Sequence, residues 1–240
     1  MKFFKGPIWS LARRDISTFF NSPGTYIICV VFLLTLGWFF ASPLFVLNQS
    51  NLDSFLGPIP ILFTFLVPAL TMKLFAEEFK AGTMESLATL PIKDYEIVLG
   101  KYLAALGFLA VLMAFTLFYP LLLFLVGSPD TGQILGSYGA VVCLAAFFAA
   151  IGVWASSITK NQVIAFILGF FVCFVFFLLS HVADFLPGAL ADLVRAMSLD
   201  FHFESLARGV LDSRDILYWA SGIVFFLSAC LASISSRRWL

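Results

Sequence analysis

The sequence predicts an all-α integral membrane protein: six spans, an interfacial helix before the first, a short cytoplasmic helix between spans two and three, and short outer helices before span six. Three observations carry this. First, 61% of the 240 residues are hydrophobic and 12% charged, with a mean hydropathy of +1.02. A soluble domain is about 45–50% apolar and roughly 25% charged, so much of this surface must meet lipid. Second, six stretches hold the ~20 apolar residues that a helix needs to cross a bilayer core, and helix is the one open structure that satisfies its own backbone there. Third, Lys and Arg concentrate on one side of a six-crossing topology.

Taken in order, Ile8–Phe20 reads as a helix. Ile8, Trp9, Leu11, Ala12, Ile16, Phe19 and Phe20 are apolar, and Lys5, Arg13, Arg14 and Asp15 are charged. Tryptophan beside basic residues, followed by the breaker Asn21-Ser22-Pro23-Gly24, places this helix in the membrane interface. The spans follow at about 26–47, 56–76, 102–126, 134–157, 163–183 and 216–234. The second is the most interrupted, by Pro58, Pro60 and Pro68, with Lys73 near its end. Proline is tolerated where neighbouring helices repair the lost hydrogen bond, and lysine can snorkel to the interface. The first span is too long and too late for a cleaved signal peptide. The whole chain, 1–240, reads as one transmembrane domain.

Eleven of the fourteen Lys and Arg residues fall on the side of the termini; Arg195, Arg208 and Arg214 alone fall opposite. Both termini are therefore expected in the cytoplasm. The loop between spans two and three lies on that side too. In it Gly82 allows a turn, Thr83 can cap a short helix, and Pro91 limits it. Met84, Leu87 and Leu90 recur every three residues on one apolar face, and Asp94 can cap the next helix. A short helix with one apolar face is suited to being gripped by a partner, or to packing on its own membrane domain. On the far side, Pro187–Met197 and Phe201–Val210 carry helical spacing.

Several functions are excluded. Fourteen basic and fourteen acidic residues leave no bulk positive field for nucleic acid. Cys29, Cys143, Cys173 and Cys230 lie far apart in apolar stretches, which fits neither a metal site nor a disulfide framework. No G-x-x-x-x-G-K-[ST], H-E-x-x-H or G-x-S-x-G occurs, so the chain carries no ATP-hydrolysing phosphate loop or hydrolase centre of these types. His181 and His202 are the two histidines, read as polar caps near the outer surface. The spans look almost free of ionisable groups, against a proton-coupled carrier.

The run Glu77-Glu78, Gly82-Thr83-Met84-Glu85-Ser86-Leu87, Leu90-Pro91 and Glu96-Ile97-Val98-Leu99-Gly100-Lys101-Tyr102 resembles the membrane subunits of ABC type 2 transporters. So do Arg14-Asp15, Phe19-Phe20-Asn21-Ser22-Pro23 and Tyr26 at the start, and Phe201-His202-Phe203 with Arg208-Gly209-Val210-Leu211-Asp212 before the last span. In particular the chain resembles the branch of gliding-motility and nitrous-oxide-reductase-maturation permeases.

The resemblance implies an elbow helix carrying Trp9, Arg13, Arg14, Phe19 and Phe20. It implies a coupling helix in which Glu77, Glu78, Gly82, Thr83, Met84, Glu85, Leu87, Leu90 and Pro91 meet a separate ATP-binding subunit. ATP and Mg would belong to that partner, with no cofactor here; the expected unit is two permeases, identical or similar, with two ATPases. An exporter in the bacterial inner membrane is the expected function. A membrane anchor or assembly scaffold that transports nothing is the alternative. Thirty phenylalanines could line a path for a lipid-like cargo or simply face lipid.

Overall fold

The computed structural model describes residues 6–46, 56–84, 91–126, 131–183, 185–210 and 212–237. Helix makes up 89% of the structure, with no strand among the described residues. The interfacial helix is α1 (Pro7–Asn21), opened by Pro7 in its first turn, where a missing N–H costs nothing. Span 1 is α2 (Pro23–Val46). Span 2 is split into α3 (Ile59–Thr71) and α4 (Lys73–Ala81), and span 3 into α5 (Asp94–Thr116) and α6 (Phe118–Val126). Spans 4 and 5 are α7 (Thr131–Ile158) and α8 (Gln162–Ala183). Two short helices, α9 (Ala189–Met197) and α10 (Leu199–Ala207), precede span 6, α11 (Ser213–Arg237). Six helical segments are long and apolar enough to cross a membrane, as the hydropathy predicts.

Span 4 is the hub: 72% of its most apolar window is buried, against 17% for spans 5 and 6. Its sequence explains this, because Ala140, Ala145, Ala149, Ala150, Gly152 and Ala155 let neighbouring backbones approach closely. A Cβ on Gly152 would collide with the side chain of Thr71 in α3. Across span 4, the ring of Phe147 covers Gly222 of α11 and packs edge-on against Trp219 and Phe226.

The expected boundaries shift at three places, each for a physical reason. Span 3 starts at Asp94, eight residues before the apolar run, and breaks at Leu117. The break follows from Pro120, whose ring clashes with the carbonyl four residues earlier, at Thr116. Asp94 is the first helical residue, not the cap; Lys93 holds the cap position, and its N–H donates to the Glu96 carboxylate at 2.9 Å. Span 2 breaks at Met72, not at a proline. There the buried Ser156 hydroxyl of α7 accepts from the N–H groups of Phe75 (2.9 Å) and Ala76 (3.1 Å) and donates to the Met72 carbonyl (3.0 Å). Groups orphaned by the break are thus satisfied from a neighbouring helix, as a membrane interior demands.

Candidate functional site at the elbow helix

α1 lies across the start of α5 and the end of span 2, burying Leu11, Ala12, Asp15 and Phe19. Close approach depends on Gly100, since a Cβ there would press on Leu11 and on the Ile8 carbonyl. Trp9 and Phe20 stay on the exposed side, and Arg13 is exposed. Phe19 and Phe20 both reach the ring of Phe108, at 5.1 and 5.3 Å between centroids.

Beneath this contact sit four charges from three segments. The Lys101 ammonium, 1% exposed, lies 3.2 Å from Asp15 Oδ2 and 2.7 Å from Glu78 Oε2, and donates to the Leu74 carbonyl at 2.5 Å. Arg14, half exposed, reaches Asp15 at 2.9 Å and Glu78 at 2.5 Å. Two cations face two carboxylates, so the cluster is neutral. The Lys101 ammonium also lies 4.9 Å from the centre of the Phe75 ring. Such pairing is what makes a buried lysine tolerable, because an unpaired charge away from water is far costlier than a paired one.

Sequence reasoning missed this network. Lys101 reads as a topology-setting cation at a loop end, yet it is as buried as Phe63 in the core. Glu78 reads as a charge offered to a partner, yet it is spent on Lys101 and Arg14. A signal was present: Lys101 follows Ile97 and Val98 on an apolar face, and a charge there needs a partner.

α4 ends at Gly82, whose φ of +71° is the left-handed cap that favours glycine. The Thr83 hydroxyl donates to the Glu78 carbonyl at 3.4 Å, and Thr83 and Met84 restart a helix, Met84 packing against the core. Glu77 lies exposed on α4 and Pro91 exposed ahead of α5. Glu85, Leu87 and Leu90 lie outside the described residues. What the structure does place is the root of the segment: it leaves α4 four residues after Glu78 and returns ten residues before Lys101.

The residues matched by the family model run from 40 to 203, more than half of the chain, and the family is the ABC-2 family transporter protein. The chain belongs to the ABC-2 transporter family. No curated relative matches it. Family and architecture together make it the membrane-embedded permease component of an ABC transporter, not the ATPase.

At the opposite end of this ABC-2 permease, α9 and α10 are held by a buried histidine–carboxyl contact. His202 Nδ1 lies 2.6 Å from Asp215 Oδ1, its Nε2 lies 3.0 Å from the Ala196 carbonyl, and the ring stacks on Tyr218 at 4.1 Å. His202 is therefore a structural tie between the short helices and span 6, buried instead of capping the surface. His181 is exposed and lies 3.9 Å from Asp200, whose N–H also donates to Ser180 at 3.4 Å. Burial pushes the Asp200 carboxyl up, while Ser180 and His181 oppose the shift and Glu204 adds to it. Among the described residues no group of three or more His, Cys, Asp or Glu side chains could hold a metal ion.

Proposed function

We propose that this permease is half of the pathway of an ATP-driven exporter, docked to a separate ATP-binding subunit through the segment from Gly82 to Pro91. One observation supports the coupling role most. The segment springs from the same three-part joint, α1 with α4 and α5, that Asp15, Glu78 and Lys101 lock together. A push on the segment would therefore reach spans 2 and 3 and the elbow helix at once.

In this reading Leu87 and Leu90 enter an apolar groove of the ATPase and Glu85 sits at its rim, while Met84, expected in the groove with them, packs on this chain's own core. Glu78 serves by holding the root of the segment. The ATPase brings ATP and Mg. Two copies, or this chain with a similar permease, complete the pathway, which fits the weakly buried flanks of spans 1, 5 and 6. The family branch is that of the gliding-motility and nitrous-oxide-reductase-maturation permeases, the membrane is the bacterial inner membrane, and the termini are cytoplasmic.

Leu87→Asp tests the reading, because it places an unpaired charge where an apolar anchor is required. Truncating a true anchor costs about 2 kcal/mol or more, so pull-down of the ATPase should fall at least tenfold at matched permease levels. Full ATPase binding with a less stable permease would instead show a helix packed on its own domain. A membrane anchor or scaffold would bind no ATPase even as wild type.

A further inference from the structure

A cleft of about 350 Å³ opens beside the charge cluster, between the elbow helix and α4. Polar side chains from both walls line it, with Phe19 and Leu74 as an apolar side. Its charges divide into two groups. Arg14, Asp15, Glu78 and Lys101 neutralise one another. Lys73 and Glu77 remain, and among the described residues neither forms an ion pair. They stand at i and i+4 on α4, so their Cβ atoms lie about 5–6 Å apart on one helix face. The Lys73 ammonium donates to the Ser22 hydroxyl at 3.0 Å, which holds it at the elbow wall.

We propose that this cleft holds the headgroup of an aminophospholipid, its phosphate on Lys73 and its primary ammonium on Glu77. The chemistry is that of phosphoethanolamine: one anion and one cation joined by a short linker, net neutral, against one free cation and one free anion a helical turn apart. A headgroup with a lone negative charge satisfies Lys73 but is repelled by Glu77. A choline headgroup has no N–H to donate to Glu77 and loses the charge-assisted hydrogen bond.

The location selects a lipid over a soluble zwitterion. The cleft sits where an interfacial helix turns into span 1, and Phe20, Tyr26 and Ile27 next to it are exposed apolar residues, at the level where acyl chains begin. The volume falls in the range of about 300–1,000 Å³ usual for small-ligand sites. This inference does not depend on how the ATPase docks, and it gives Glu77 a ligand in place of a role at the ATPase.

The test is native mass spectrometry of the detergent-purified permease. Phosphatidylethanolamine, phosphatidylcholine and phosphatidylglycerol with identical acyl chains are added in equal amounts. The ethanolamine lipid should be retained about threefold to fivefold over the other two, the range for a solvent-touched charge pair. Glu77→Gln should abolish the preference for ethanolamine over choline, and Lys73→Ala should weaken all three lipids. Equal retention of ethanolamine and choline lipids by the wild type overturns the proposal, and that comparison needs no variant. So does a preference that survives both substitutions. Displacement of the bound lipid by soluble glycerophosphoethanolamine at comparable concentration would overturn the lipid assignment by showing that the headgroup alone is the ligand.

Discussion

Lys101→Met removes a buried ammonium while keeping most of the side-chain volume, and it measures how firmly the elbow joint is locked. Two acceptors lose their donor, Asp15 Oδ2 and the Leu74 carbonyl, and Glu78 Oε2 loses its ion-pair partner. Breaking a buried pair by deleting one partner typically costs about 3–5 kcal/mol. Arg14 still touches both carboxylates, but its side chain is 46% exposed and water screens it. The expected cost is therefore about 3 kcal/mol, the lower end of that range. For a chain of this size each 1 kcal/mol lowers the melting temperature by roughly 2–4 °C, giving a drop of roughly 6–12 °C.

The assay is thermal unfolding of the purified permease in a fixed detergent, read by tryptophan fluorescence, with hydrogen exchange over residues 7–21 as a local probe. Exchange there should rise, because α1 loses its tie to α5. Adding Asp15→Asn and Glu78→Gln to Lys101→Met removes the stranded charges and should recover more than half of the loss. A Lys101→Met protein melting within about 1 °C of wild type would refute the reasoning, since that implies under 1 kcal/mol for the whole ammonium. No recovery in the triple variant would refute the electrostatic part of it.

Three further outcomes are expected. His202→Phe keeps a ring against Tyr218 but leaves the buried Asp215 carboxyl without its partner, so melting should fall by the equivalent of about 2 kcal/mol, and Asp215→Leu on top should restore much of it. Asp200 has its carboxyl raised above the ordinary 3.8 by burial, so the ionised form weakens the fold; that stability is present below 3.8 and lost as pH rises through the raised value. Asp200→Asn should accordingly melt higher than wild type at neutral pH and no higher at pH near 3.8, as thermal scans across pH would record. In sealed cells of a variant lacking the native cysteines, a cysteine at Ser213 should react with an impermeant thiol reagent and one at Ala81 should not; labelling at Ala81 would reverse the orientation.

The spans were legible because a twenty-residue apolar run is a one-dimensional signal, and the glycine ending α4 likewise announced itself by its type. Breaks inside spans were less so. Span 2 carries three prolines, yet Pro60 falls in the first turn of α3, where it is harmless, and the true discontinuity lies at Met72. Pro120, inside a long apolar run, splits span 3. The joint itself was invisible for another reason. Asp15, Glu78 and Lys101 are far apart in sequence and each is ordinary in its own segment, and only the meeting of α1, α4 and α5 brings the two carboxylates within 3.2 Å of the Lys101 ammonium. Hydropathy scores such a lysine by type, not by what surrounds it.

The single hydroxyl of Ser156 has a consequence for motion. It is a pin through the break in span 2, closing three hydrogen bonds with one oxygen. While the pin holds, the first turn of α4 is tied to span 4. Bending at Met72 requires the pin to be drawn, which leaves two N–H groups and a carbonyl bare in a dry interior. Span 2 therefore resembles a latched ratchet more than a soft hinge. Ser156→Ala would remove the latch and leave the break at Met72 without its ties to span 4.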